Sequence, residues 1–325
     1  MMKNRILGSI IGQCVGDAIG FLVEGATPDI TEAYLDMLSI DTTPLYGTAK
    51  FDFGQYTDDS QLARELLRSM IKHNGFYPND YADRIVKMFA SNYIVGRGNT
   101  CDNAANNLIN GVSWRDSGIG PPSAGNGSAM RAAPVGLYFH RSEEHEEMID
   151  AAKQQSIITH KDPRCIAGSV VVAASVAYLV DVSFLDVNRF IHYLVDLVRN
   201  ISPIFAAELE NLRAWLTLPY DEAVQTIAKC GNPDSDDGWR WISPYVIPTV
   251  IWSLYCFLTN STDYWGAIRT AIQAGGDTDT TAAITGAFSG AYLGIDEIPA
   301  AYREVIQDQG GWGYGEFVNL INQIE

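Results

Sequence analysis

The sequence predicts an all-α protein, a single compact orthogonal helical domain over residues 1–325. Three observations carry this. Apolar residues recur at helical spacing along most of the chain, with no run of alternating strands, no βαβ pattern and no internal repeat. Two stripes of small residues, Gly8, Gly12, Gly16 and Gly20 near the start and Ala282, Gly286, Gly290 and Gly294 near the end, recur at every fourth position and so line one helix face each. Two acidic clusters, Thr57-Asp58-Asp59-Ser60 and Asp277-Thr278-Asp279-Thr280, stand far apart in the chain where loops enter helices.

Taken in order, residues 6–21 read as a helix. Each glycine costs a helix about 1 kcal/mol relative to Ala, so four in register imply a return, most simply the close approach of a second helix. The stripe at 282–294 is the natural partner, and the pairing brings Asp17 and Glu24 near Asp277 and Asp279. Residues 24–56 look irregular, punctuated by Pro28, Pro44, Gly47 and Gly54, with a short helix over 31–38. Thr57 or Asp58 is suited to cap a helix over 60–72, whose apolar face is Leu62, Leu66, Leu67 and Met70. His73-Asn74-Gly75 ends it, and helices over 81–93 and 101–109 follow, separated by a Gly96-Arg97-Gly98 loop.

Residues 118–127, rich in Gly and Pro, must be loop. Residues 128–138 read as helix, with Pro134 kinking it or resetting its start. A helix over 143–160 ends at Thr159-His160, and Pro163 favours the start of the next, 164–180. Helices over 184–199, 203–215 and 221–229 precede a charged loop at 232–238. Residues 245–258 are apolar, and 265–273 lead into Gly275-Gly276, a tight turn in which glycine takes positive φ at little cost.

The balance of 39 acidic and 22 basic residues gives a formal net charge of −17. Nonspecific nucleic-acid binding needs Lys and Arg to neutralise phosphate, and a polybasic membrane surface needs the same, so neither partner is expected. Five isolated cysteines, with no CxxC pair, fit a reducing compartment. Gln13 and Asp17 interrupt the apolar N-terminal run, which therefore reads poorly as a signal peptide. The most apolar later stretch, 166–180, has 15 residues, short of the roughly 20 that span a bilayer. The expected location is the cytoplasm.

Carboxylates and hydroxyls are the oxygen ligands that hard cations such as Mg²⁺ take. Jointly the two acidic clusters offer four carboxylates, a set of the kind that holds two divalent ions about 3.5–4 Å apart. Helix capping is the alternative for either cluster alone, although it accounts less easily for the Asp58-Asp59 doublet followed by Ser60. There is no EF-hand loop, no HExxH zinc pair, no GxxxxGK[ST] phosphate loop and no GxGxxG fingerprint. Gly125-Asn126-Gly127-Ser128-Ala129-Met130-Arg131 is a glycine-rich loop opening onto a helix, where free N–H groups and the dipole suit a diphosphate. An ordinary turn and cap is the alternative there, as a C-cap is for His160.

Five motifs in fixed order carry a resemblance. They are Gly12-x-x-x-Gly16-Asp17-Ala18-Ile19-Gly20 with Glu24, Tyr56-Thr57-Asp58-Asp59-Ser60, the 125–131 loop, Thr159-His160, and Gly275-Gly276-Asp277-Thr278-Asp279-Thr280. Together they span nearly the whole chain, which resembles the ADP-ribosylglycohydrolase family. The resemblance implies a central cleft with a dinuclear Mg²⁺ site, Mn²⁺ in some members, whose ligands would be Thr57, Asp58, Asp59, Asp277, Asp279 and Thr280. It implies that Gly125, Asn126, Gly127 and Ser128, with Met130 in the same motif, hold the diphosphate of ADP-ribose, and that Gly98 and His160 line its ribose and adenine side. Glu24 falls where the family carries an acidic residue near the scissile bond, and proton transfer by Glu24, Asp59 or Asp279 stays open. Ser60 replaces the more usual Thr, and Asn99 stands where an aromatic residue is common. The implied activity is hydrolysis of ADP-ribose from modified protein side chains, with an arginine linkage expected. Serine-linked or small ADP-ribose substrates, or a protein that blocks a partner ADP-ribosyltransferase by contact, are the alternatives.

Overall fold

The computed structural model describes residues 2–40, 50–141, 145–231, 239 and 241–324. Among these residues the chain forms sixteen α-helices, and β-structure is confined to isolated bridges. The N-terminal half holds α1 (Met2–Gly20), α2 (Pro28–Ile40), α3 (Asp58–His73), α4 (Pro78–Ala90), α5 (Asn99–Ile109), α6 (Ala133–Tyr138) and α7 (His145–Ile157). Then come α8 (Pro163–Asp181), α9 (Val187–Val198), α10 (Pro203–Trp215), α11 (Tyr220–Ile227), α12 (Val246–Thr259), α13 (Tyr264–Gln273), α14 (Thr278–Leu293), α15 (Ala300–Arg303) and α16 (Tyr314–Ile321).

The two small-residue stripes meet. A Cβ on Gly12 would fall 2.3 Å from the Gly286 carbonyl oxygen, one on Gly16 2.1 Å from that of Ala282, and one on Gly20 2.3 Å from that of Thr278. The reverse holds too, with a Cβ on Gly286 falling 2.1 Å from the Gly12 oxygen and one on Gly290 2.0 Å from that of Gly8. Partner numbers fall as the first helix's rise, so α1 and α14 run antiparallel with their backbones in contact. Ser9 Oγ donates to Ala287 O at 2.9 Å, and Thr278 Oγ1 donates to Gly20 O at 2.8 Å, fixing the register. The α13 side chain Tyr264 adds a hydroxyl donated to Gly12 O at 2.8 Å.

Helices α8 and α12 complete the interior, buried along almost their whole length. The apolar run expected at 166–180 lies in a helix of 19 residues, Pro163–Asp181. That helix and Met2–Val23 are long and apolar enough by composition to cross a membrane, but 78% and 83% of their apolar windows are buried inside the molecule. Outer helices are one-sided. Helix α9 buries Phe190, Ile191, Leu194, Val195 and Val198, and the Asp186 carboxylate at its start accepts from Arg189 N.

Two expected elements differ. Helix over 128–138 is confined to Ala133–Tyr138, and Ser128–Arg131 form turns. Pro134 falls in the first turn, where its missing N–H costs nothing, so it sets the start rather than kinking a longer helix. The helix expected to reach His160 stops at Ile157. Thr159 and His160 instead pair with the loop at Ile119, through Ile119 N to Thr159 O at 2.9 Å and Lys161 N to Ile119 O at 2.8 Å. Pro44, Gly47, the helix start at 143 and the charged loop 232–238 lie outside the described residues.

The C-terminal segment packs beneath the start of α3. Buried Asp308 accepts from Arg64 Nη1 at 2.6 Å, Gln61 Nε2 at 2.8 Å and Gln55 Nε2 at 3.2 Å. The Arg64 guanidinium also stacks 5.0 Å from the centre of the Trp312 ring. Backbone bonds from Gln307 N to Gly54 O (2.8 Å) and from Tyr56 N to Gln307 O (3.2 Å) bind this segment to the residues leading into the first acidic cluster.

Candidate active site

Thr57 caps α3, its hydroxyl accepting from Asp59 N. Two further amides at this helix start are met from α1. Asp17 Oδ1 accepts from both N and Oγ1 of Thr57 at 2.9 Å, and its Oδ2 accepts from Ser60 N at 3.0 Å. Asp58 N donates to Val95 O at 2.8 Å, and Gly96, at φ 76°, lies so close that a Cβ would sit 3.0 Å from Asp58 Oδ1. The Asp58–Asp59 pair is therefore held by α1 on one side and the 95–98 loop on the other.

The second cluster is set by the Gly275-Gly276 turn, at φ 71° and 84°. Gly276 exchanges backbone bonds with the Glu24 neighbourhood, accepting from Gly25 N at 2.8 Å and donating to Ala26 O at 3.1 Å, and Asp277 N donates to Ile242 O at 2.8 Å. Carboxylate oxygens of Glu24, Asp277 and Asp279 consequently lie within 4.8 Å of one another. Thr280 Oγ1 donates to Asp59 Oδ2 at 3.3 Å, joining the two clusters. Thr57, Asp58, Asp59, Asp277, Asp279 and Thr280 are all buried, whereas Glu24 is exposed at the rim.

This is a crowd of negative charge with no basic side chain paired to it among the described residues. Burial and mutual repulsion raise every carboxyl in it. Asp17 and Asp277 are pushed up to about 6, chiefly by burial, and Glu24 to about 8, chiefly by the charge of Asp279. Asp58, Asp59 and Asp279 rise well above the usual range, burial first. Asp59 Oδ1 is buried with no hydrogen-bond partner, a costly state for a carboxylate oxygen. Oxygen donors, uncompensated charge and an orphaned oxygen together fit hard divalent cations.

Against the acids lies the 125–131 loop. Asn126 ties it to the acids, its side-chain amide donating to Asp277 Oδ2 and, at 3.1 Å, to Thr249 Oγ1. The helix N-terminus expected here is absent. What remains is a turn in which the N–H groups of Gly127 and Ser128 have no acceptor among the described residues, and successive free amides of this kind make an anion site without a helix. The Ser128 hydroxyl turns inward, accepting from Ser156 Oγ at 2.9 Å and lying 3.3 Å from Cys165 O, so Ser128 faces the loop through its backbone alone. The Met130 side chain is buried in the core, and its carbonyl accepts from Gln13 Nε2 at 3.0 Å. Gly98 is exposed at the start of α5 with open space on its Cα.

His160 is buried beside the same loop and is no helix C-cap. A Cβ on Gly127 would fall 2.8 Å from its Cε1 and 3.2 Å from its Nε2, and one on Gly125 3.6 Å from Nε2. Burial, with a smaller push from Arg131, lowers its pKa to about 3, so the ring is neutral.

Sequence reading passed over two parts of this arrangement. Gln13 Nε2 donates to Asp59 O at 3.1 Å as well as to Met130 O, linking cluster and loop. Its one signal was a polar residue inside an apolar helix. Thr249 lies on α12, with no local pattern marking it.

A profile of the ADP-ribosylglycohydrolase family matches residues 1–324. The chain belongs to this family. Among curated ADP-ribosylglycohydrolase relatives, the ADP-ribosylhydrolase ARH3 of Xenopus tropicalis is 27% identical over 343 residues, covering 95% of this chain and 94% of that protein. The ADP-ribosylarginine hydrolase Tri1 of Serratia proteamaculans is 25% identical over 316 residues, covering 94% and 76% respectively. A solved structure described as an ADP-ribosylglycohydrolase-related protein complex superposes with a TM-score of 0.72 at 22% identity, over 99% of this chain and 97% of that one, and so shares its fold. ADP-ribose hydrolysis is thus the chemistry of this ADP-ribosylglycohydrolase, and its acidic cluster is a candidate metal centre.

Proposed function

We propose that the protein is a magnesium-dependent hydrolase that releases ADP-ribose from modified arginine side chains. One observation carries this reading: two acidic clusters distant in sequence converge on a glycine loop with free amides, and Asn126 bonds directly across to Asp277. A nucleoside diphosphate needs the amides, and the ribose beyond it then lies toward the acids.

Thr57, Asp58, Asp59, Asp277, Asp279 and Thr280 are the residues that would hold two Mg²⁺ ions, with Mn²⁺ able to substitute. When bound, such cations supply positive charge to the ribose hydroxyls and acidify nearby water. The amides of Gly127 and Ser128 bind the diphosphate and fix the distal ribose. Water then attacks its anomeric carbon through an oxocarbenium-like transition state. A C–O bond forms, the C–N bond to the guanidine breaks, and the proton lost by water ends on the departing nitrogen. Glu24 is suited to carry that proton, since it alone in the cluster is exposed and stands within reach of Asp279. Asp59 and Asp279, buried among the other carboxylates, would serve as ligands to the cations instead.

Two features favour arginine. A cleft mouth marked by Glu24, on a chain of net charge −17, suits a cationic guanidinium, and a relative similar over nearly the whole chain is named an ADP-ribosylarginine hydrolase. The test is release of ADP-ribose from arginine-ADP-ribosylated protein with Mg²⁺ and with EDTA, beside a serine-ADP-ribosylated peptide. Release from the arginine substrate that EDTA abolishes is expected. Release from the serine peptide alone would overturn the linkage, and undiminished release in EDTA would overturn the metal.

A further inference from the structure

Arg131 is fully buried, yet among the described residues no carboxylate pairs with it. Its donors go to neutral groups. Nε donates to Gln155 Oε1 at 2.9 Å, and Nη2 donates to Gln155 O at 3.0 Å and to Thr159 Oγ1 at 2.7 Å. Nη1 lies 4.0 Å from Cys101 Sγ, and the guanidinium sits over the Tyr81 ring. A guanidinium can only donate, so Thr159 Oγ1 accepts from it. The hydroxyl's own hydrogen then has one partner in reach among the described residues, His160 Nδ1 at 2.8 Å. If Nδ1 carried the proton instead, the Thr159 hydrogen would be buried without an acceptor, which is costly.

We propose that Arg131 and Thr159 form a relay that fixes His160 as the neutral Nε2–H tautomer, turning its single donor onto an oxygen of the ligand seated on the 125–128 loop. The Nε2 edge of the ring faces the bare sides of Gly125 and Gly127 and has no protein acceptor among the described residues. It therefore adds a third donor to the free amides of Gly127 and Ser128. Glycine at 127 is what lets the ring approach, because a Cβ there would collide with it, whereas one at 125 would only touch Nε2 at 3.6 Å. Gln155 completes the assembly by donating to Ser128 O at 2.8 Å, so one buried residue holds both the relay's cation and the loop. Arg131 and Thr159 touch no ligand and are positioning residues. The identity of the ligand as ADP-ribose rests on the function proposed above, whereas the tautomer does not.

The experiment has two readouts. Two-bond ¹H–¹⁵N NMR of ring nitrogens, with His160 assigned by its loss in His160→Gln, reports the tautomer; calorimetry reports ADP-ribose affinity without turnover. The wild-type ring should carry its proton on Nε2. Thr159→Val, which keeps the shape and removes the hydroxyl, should move the ring toward Nδ1–H and weaken ADP-ribose binding about three- to tenfold, the worth of one hydrogen bond. Thr159→Ser should restore both. A wild-type ring protonated on Nδ1 overturns the relay whether or not any variant folds. A Thr159→Val protein with shifted tautomer and unchanged affinity overturns the donor role. Wild-type protein with the Nε2–H ring and no affinity for ADP-ribose would uphold the relay and refute the ligand.

Discussion

Asp17 shows how much one side chain can position. Both of its oxygens are spent on the start of α3, accepting from Thr57 N, Thr57 Oγ1 and Ser60 N. It supports the acidic pair from behind, as a cap lent by a neighbouring helix. Asp17→Ala should leave buried amides unsatisfied, costing about 1–3 kcal/mol in urea unfolding. Asp17→Asn keeps one acceptor oxygen and should lose less. In both variants calorimetric titration should show weaker Mg²⁺ binding than wild type. Unchanged Mg²⁺ affinity in a folded Asp17→Ala protein would make this residue a stabiliser only.

At the scale of elements, the decisive contact is α1 against α14. Gly12→Ala places a methyl 2.3 Å from the Gly286 oxygen, and the overpacking should cost at least about 1–3 kcal/mol. Gly12→Leu should give no soluble folded protein. Gly315→Ala, on α16 where nothing lies within 4 Å, is the control and should melt no lower than wild type. Soluble yield and thermal melts check all three. This contact was legible in the sequence because glycine is a poor helix former, and a four-residue period of it has few other meanings. The acidic clusters were legible for a related reason, since each joins carboxylates to hydroxyls at a helix start. The segment around Asp308 was not. Its effect depends on a buried pairing with Arg64 from the far end of the chain, and nothing local announces it. The helix over 128–138 was misread because Pro134 suits a helix's first turn as well as a kink, and only packing decides between them. The loop before it keeps its free amides, so anion binding there rests on the turn and not on a helix dipole.

For the whole molecule, the clustered acids govern response to pH. A carboxyl whose folded pKa is raised holds a proton that the unfolded chain has already lost, so its contribution to stability declines as pH rises through the folded value. Those values are about 6 for Asp17 and Asp277 and about 8 for Glu24. His160 acts oppositely. Its folded value of about 3 lies below the ordinary one of about 6.5, so its contribution grows with pH across that interval and is complete above it. Between about pH 6.5 and 8.5 the acids alone remain, and EDTA-treated protein should melt at progressively lower temperature. Mg²⁺ should raise the melting temperature, more at pH 8.5 than at pH 6.5. A flat profile in EDTA, or a Mg²⁺ effect that shrinks with pH, would contradict this account.

The antiparallel contact between α1 and α14 also sets a timetable. Tyr264 reaches back 252 residues to Gly12, and α14 is made later still. Ribosomes add about 5–20 residues per second, so the first helix emerges tens of seconds before the surface it was shaped to touch exists. Through that interval its glycine face has no partner, and a helix so rich in glycine has little reason to hold its form alone. The acidic clusters meet only when α14 closes on α1, so the site forms only after Thr278–Leu293 have been made, and as a whole.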